Sequence, residues 1–323
     1  MTALPRRVLA RLVCLLALVI VVMAMMMHDP LPAATQEKTP AEAGDPPPVR
    51  AEPTVATPTA APTDHDRAVR RLRQISRNAH VAISLRDEES GATFDHGTDR
   101  FATASLVKVH LVALMSKLAE RNGTGLTRGE RLDAEAMLVS SENEPALRAY
   151  FSLGGPAGIE RNLAKAFGSA GIRIGDQGLW GHSTTTPRAV VRLLDRVLDR
   201  RASRTYSVLQ DAMSRVVPRQ RWGVSVLADR GSPVQMKVGW VQDPDGWVVN
   251  SSGRVVVDGS PVLISVMTDR NPTFETGVDT VEKVARLAGE IVRADRMAAK
   301  VRSEVRWQDV GDRIRDAQAG PPA

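Results

Sequence analysis

Apolar residues return at helical spacing in seven stretches of the chain. Val69, Leu72 and Ile75 mark a helix over Asp66–Asn78, and Val107, Leu111, Leu114, Met115 and Leu118 mark a stronger one over Ser105–Glu120. Further helices are expected over Arg131–Val139, Pro145–Ser152, Ile159–Phe167, Arg188–Leu198 and Val278–Val292. Pro187 suits the first turn of the sixth of these. Strand-like alternation covers His80–Leu85, with Gly91–Phe94 as its hairpin partner. Strands return at Val224–Leu227, Val234–Trp240, Gly246–Asn250 and Val262–Thr268. The order is helix, two strands, a block of helices, several strands and a final helix. It predicts an α+β fold: an antiparallel sheet flanked by helices, with an inserted all-helical lobe. A cleft between two such lobes is a natural place for a site.

The first 65 residues have a different pattern. Arg6, Arg7 and Arg11 precede an uninterrupted apolar run from Leu12 to Met27. Residues 1–28 therefore read as a signal anchor or a cleaved signal peptide; the length is borderline between the two. Pro32-Ala33-Ala34 is a poor cleavage site, which favours the anchor. Cys14 lies near the start of the run, where a buried thiol is expected rather than a lipid attachment point. A basic N-terminal flank places the rest of the chain in the cell envelope, outside the cytoplasm. Residues 29–65 hold nine of the 20 prolines and form a linker, semi-rigid and able to reach on the order of 100 Å. The folded domain is expected over residues 66–307, with a flexible tail over 308–323.

Composition narrows the chemistry. Of 323 residues, 43% are apolar and 25% charged, which requires a packed core. The net charge of +6 has no arginine-lysine cluster with interleaved aromatics, so nucleic acid is not an expected partner. A lone cysteine forbids an internal disulfide or a cysteine-based zinc site. The six histidines lack metal-ligand spacing, so neither metal nor cofactor is expected. Only seven of the 43 basic residues are lysines. Where a plain positive charge suffices, this chain uses arginine. A lysine at the start of an apolar helix therefore draws notice, because lysine can lose its proton when buried and arginine cannot.

Three short segments carry candidate chemistry. In Ser105-Leu106-Val107-Lys108 the serine and lysine share a helix face, which lets the amine reach the hydroxyl and act as its base. The plain alternative is a serine N-cap and a solvated lysine. Ser141-Glu142-Asn143 offers a second hydroxyl and an amide, or an ordinary capping turn. Lys237-Val238-Gly239-Trp240 ends a strand with a cation beside a glycine, which leaves room for a substrate backbone.

Together and in this order, the three resemble the signatures Ser-x-x-Lys, Ser-Asp-Asn and Lys-Thr-Gly of the penicillin-recognising serine hydrolases, closest to class A β-lactamases. The resemblance spans roughly residues 66–295 and includes Thr184-Thr185-Thr186-Pro187 and Trp222-Gly223. It implies a monomer acting on a β-lactam or a peptidoglycan-type peptide. Ser105 would be the acylated nucleophile, Lys108 its base, and Ser141 the proton shuttle to the leaving nitrogen. Asn143 would hold the substrate amide and Lys237 a carboxylate. The backbone N–H groups of Ser105 and Trp240, beyond Gly239, would form the oxyanion hole.

The departures carry as much information. Glu142 stands for Asp, and Val238 for a hydroxyl residue. The glutamate that activates the deacylating water in class A enzymes has no counterpart. Asp176 is the only carboxylate between Glu160 and Pro187. The asparagine that partners the glutamate is Leu147 here. Asp176 and His182 lie in the right segment to substitute, although Asp176 also reads as a turn residue and His182 as a bystander. The expectation is an acyl-enzyme with slow deacylation. Its rival is a non-catalytic envelope binding protein that retains the fold and the cleft.

Overall fold

Thr63 caps the first helix, α1 (Asp64–Asn78): its hydroxyl accepts from Asp66 N, and the Asp66 carboxylate accepts from Thr63 N. The cap sets the helix start two residues earlier than the apolar spacing alone. The structure is a computed structural model that describes residues 63–168, 171–176 and 178–319. The export segment and nearly all of the linker expected at 1–65 lie outside the described residues. Among the described residues no helix is long and apolar enough to cross a membrane.

After α1 the chain forms β1 (His80–Asp87), β2 (Thr93–His96) and the short β3 (Phe101–Ala102). A helical block comes next: α2 (Val107–Arg121), α3 (Arg128–Glu135), α4 (Asn143–Ser152) and α5 (Gly155–Phe167). Then come β4 (Thr184–Thr185), α6 (Pro187–Val197) and α7 (Ser203–Ser214). The strands β5 (Gln235–Asp243), β6 (Gly246–Val257) and β7 (Ser260–Asn271) precede the long α8 (Phe274–Ala319). Five strands pair antiparallel in the order β2-β1-β7-β6-β5, which leaves β5 at an edge. The expected α+β fold, with an antiparallel sheet between helices and a helical lobe inserted after β3, is the fold observed.

Alternation along β7 divides the core. Val262, Ile264 and Val266 pack with α1 and α8, through Leu72, Val281, Val284 and Ala288. Leu263 and Met267 face the other way, toward Leu111, Leu194 and the helical lobe. Helix α2 is buried nearly all round and forms the axis of that lobe. Each fully buried leucine along it contributes about 1.5–3 kcal/mol relative to exposure.

Several elements differ from the sequence expectation. Val224–Leu227 is not a strand but part of a 3₁₀ turn, Gly223–Leu227. Gly223 sits at φ +79° against Ser251, and the Ser251 hydroxyl accepts from Val224 N, so the segment turns over the sheet instead of joining it. Helix α7 is an addition to the elements expected from apolar spacing. Helix α8 does not stop near Val292; it continues through the boundary expected at 307 as far as Ala319.

Candidate active site

The turn that carries Ser105 is held from three sides. Phe101 pairs with Thr185 and Ala102 with Thr184, joining β3 to β4. Thr103 N donates to Ser183 O at 2.6 Å. The buried Asn250 on β6 donates to Ala102 O (2.9 Å) and Thr103 O (3.3 Å), and its side-chain oxygen accepts from Thr268 N (3.2 Å). Ala104 is then forced to φ +45°, a conformation that costs an L-residue about 1–2 kcal/mol. A single 3₁₀ turn, Ala104–Leu106, feeds into α2 and leaves Ser105 half-buried at its start. Gly239 of β5 lies directly against this turn. A Cβ there would stand 2.7 Å from Thr103 O and 2.8 Å from Ser105 N.

A second unusual turn delivers Ser141. Helix α3 runs into a π-helical turn, Ala136–Ser140, an arrangement often found at functional sites. It closes with Glu142 N donating to Ala136 O, and Ser141 adopts a left-handed conformation at φ +66°. Gln220 Nε2 holds Ser140 O at 3.1 Å. The left-handed residue turns the chain so that Ser141 and Asn143 both face α2.

The two lysines converge on that turn, and both are fully buried. Lys108 Nζ donates to Ser141 O (2.6 Å) and Asn143 Oδ1 (2.9 Å), and lies 3.3 Å from Ser141 Oγ. Lys237 Nζ donates to Ser141 Oγ (2.9 Å) and Val238 O (3.0 Å). Burial lowers Lys108 to about 7, opposed by the charge of Glu142. Burial and the charge of Lys108 lower Lys237 to about 7. A neutral amine has two N–H groups and one lone pair. With Ser141 O and Asn143 Oδ1 taking both donors of a neutral Lys108, the third contact, with Ser141 Oγ, falls to the lone pair.

Over Lys108 lies the segment between α5 and β4. Tyr150 pins it: the phenol donates to Gly175 O at 3.0 Å and accepts from Gly178 N at 3.4 Å. Glu160 accepts from Ile174 N, and Ser183 Oγ from Gly175 N. The Trp180 ring centroid stands 4.9 Å from Lys108 Nζ. An indole therefore covers the amine, and the carboxylate whose charge acts on Lys108 is Glu142. Asp176 is exposed, and its backbone carbonyl accepts from Leu179 N in a turn. His182 faces Asp243 at the end of β5, 3.5 Å away.

The sequence-derived residues thus meet, with one correction to their expected bonding. Lys108 binds Ser141 and Asn143 rather than Ser105, whose hydroxyl has no hydrogen-bond partner among the described residues. The helix face brings residues 105 and 108 together, but the π turn supplies better-placed acceptors. Val238 is buried in the core on the α8 side of the sheet. The Trp240 ring packs against Trp222 (6.1 Å) and Phe274 (5.7 Å). Sequence reasoning assigns no role to Asn250, Trp180 or Tyr150. Nothing in their local spacing marks them; each acts through a contact distant in the chain.

Residues 133–292 match the model of the "Beta-lactamase enzyme family". The fold is similar to a class A β-lactamase from Mycobacterium abscessus: TM-score 0.58, 21% identity, 68% of this chain and 97% of that one covered. It is also similar to a β-lactamase from Xanthomonas campestris pv. campestris, at TM-score 0.61 and 17% identity, covering 71% and 99%. A third similar structure is a β-lactamase from Desulfarculus baarsii, at TM-score 0.60 and 20% identity, covering 71% and 98%. No curated protein sequence matches the chain. The family match over residues 133–292 and the shared fold make the chain similar to the β-lactamases. The match starts after Ser105 and Lys108, and neighbours at this identity speak for the fold alone.

Proposed function

We propose that the protein forms an acyl-enzyme on Ser105 with a β-lactam or a peptidoglycan-like amide, outside the cytoplasm, and releases the acyl group slowly. The observation that carries this reading is the convergence of two buried, pKa-lowered lysines on Ser141, beside the turn that presents Ser105. Above about pH 7 the Lys108 lone pair accepts the Ser105 proton as Oγ attacks the carbonyl carbon. The backbone N–H groups of Ser105 and Trp240 receive the developing oxyanion. As the C–N bond breaks, Ser141 passes its proton to the departing nitrogen and takes back, across the 3.3 Å contact with Lys108, the proton that Lys108 received from Ser105. Asn143 orients the substrate amide and Lys237 its carboxylate. Catalytic hydrogen bonds often tighten only once substrate arrives, which accommodates the open Ser105–Lys108 contact.

The reason for slow deacylation is Trp180. Activating a water needs a base near the acyl carbon, and the group against Lys108 is an indole. The export segment supports placement in the envelope, with the anchor as the reading and secretion as the alternative. One observation favours a second reading, a binding protein that keeps the cleft: Val238, the residue after Lys237, is a hydrocarbon side chain buried on the α8 side of the sheet and offers the cleft no hydroxyl. The test is incubation with a fluorescent penicillin, wild type beside Ser105→Ala, with intact-mass spectrometry of each product. A persistent adduct confined to wild type supports the acyl-enzyme. Rapid product release overturns the slow step, and no adduct on a folded protein favours the binding reading.

A further inference from the structure

Beyond Asn143, α4 presents an apolar face where water should be the neighbour. Leu147 and Phe151 succeed Asn143 at intervals of four, so the three lie along one side of the helix. Leu147 is 40% exposed and Phe151 63%. The facing segment adds Leu179, 58% exposed. Gly178 joins the two walls: a Cβ built on it would lie 3.6 Å from Leu147 Cδ1 and 4.0 Å from Phe151 Cζ. Tyr150, the buried neighbour of Phe151, fixes the spacing by bonding Gly175 and Gly178. The charges alongside are spent on each other, since Arg148 pairs with Asp133 at 2.6 Å and Glu144 at 3.8 Å.

Singly exposed leucines are ordinary; a contiguous strip of three large side chains on two elements is not. This strip starts at Asn143, which bonds Lys108, and its far wall is the segment that lays Trp180 over the same lysine. It is therefore continuous with the candidate site and leads away from it. We propose that Leu147, Phe151 and Leu179 bind the aliphatic acyl chain of an ester or amide whose carbonyl reaches Ser105. This rests on Ser105 being the acyl acceptor, and adds to it a preference for substrates with several methylenes beyond the carbonyl.

The experiment uses the full chain with p-nitrophenyl acetate and p-nitrophenyl octanoate. In each, the Ser105 Oγ–C bond forms, the ester C–O bond breaks, p-nitrophenolate leaves with the electron pair, and Lys108 takes the serine proton. Each methylene fully removed from water is worth about fourfold, so octanoate is expected to acylate at least about tenfold faster than acetate. Phe151→Ser and Leu179→Ser are expected to lower that ratio at least threefold each. A ratio near one in wild type, or an unchanged ratio in both variants, overturns the proposal. A binding measurement separates it from the reading of Ser105. Dodecanoate is titrated against Trp180 fluorescence, with Trp180→Phe as the control for the signal. Saturable binding weakened by Phe151→Ser upholds the apolar strip even where no ester acylates Ser105, and then only the nucleophile assignment falls. No dodecanoate binding together with no chain-length preference overturns the strip. Melting curves establish that each variant is folded.

Discussion

At the scale of single residues, the site depends on keeping two amines dry. Acylation of Ser105 is expected to rise with pH through about 7, as Lys108 loses its proton. The Glu142 charge favours the protonated amine, so Glu142→Gln is expected to shift the midpoint of the acylation profile down. Fluorescent-penicillin labelling rates from pH 5 to 9 measure both effects; an upward shift in the variant contradicts the assigned role of the Glu142 charge. Asn250 acts at a distance from the chemistry. Its amide ties β6 to the two carbonyls before Ala104, whose φ of +45° needs such restraint. Asn250→Ala leaves buried carbonyls with fewer donors and is expected to cost about 2 kcal/mol of stability. Labelling should fall with it, although the variant removes no group that touches the acyl carbon. Denaturant melts and labelling rates on one preparation test the pair of effects.

At the scale of elements, β5 packs closely against the Ser105 turn. Gly239→Ala places a methyl against Thr103 O and Ser105 N, and backbone cannot yield as a side-chain end can. Labelling is expected to drop by at least an order of magnitude, with a destabilisation of about 1–3 kcal/mol. Ser105 labelling at wild-type rate in the alanine variant would contradict the contact. Elements are readable from the chain where their pattern meets a core directly. Helix α2 is legible because Val107, Leu111 and Leu114 all enter one cluster. The four residues Val224–Leu227 mislead because so short an alternation fits a strand or a 3₁₀ turn, and Gly223 decides between them. The π turn before Ser141 is invisible in the sequence, since it differs from α-helix by one shifted hydrogen bond and not by composition. For the same reason Ser105, Lys108, Ser141, Asn143 and Lys237 can be found as a set, while the bond from Lys108 to Ser141 in place of Ser105 cannot.

At the scale of the whole molecule, the sheet and its two helical covers carry the stability, and the site takes some of it away. A lysine whose amine is neutral in the fold at pH 8 is protonated in the unfolded chain, where its pKa is near 10.4. The unfolded state then binds more protons, so stability contributed by this group rises as pH increases from about 7 toward 10. Wild type is expected to gain more stability than Lys237→Met between pH 7 and 9, as read by chemical denaturation; equal gains would contradict the buried amine. Helix α8 divides into two parts. Val281, Val284, Ala288, Ile291 and Val292 are buried, whereas Met297 and Val301 are exposed. Arg71–Glu290 and His65–Asp295 tie it to α1.

Trp180, set over Lys108, has a consequence for how the protein's capacity is counted. A site acylated at Ser105 and cleared slowly, as proposed, is occupied for long after each event, so over that interval output scales with the number of copies present and not with time. Exposure to a reactive acyl donor would deplete the free form in proportion to dose, and recovery would wait on the slow release or on new synthesis. The measurable signature is a titration with a sharp equivalence point at one acyl group per chain.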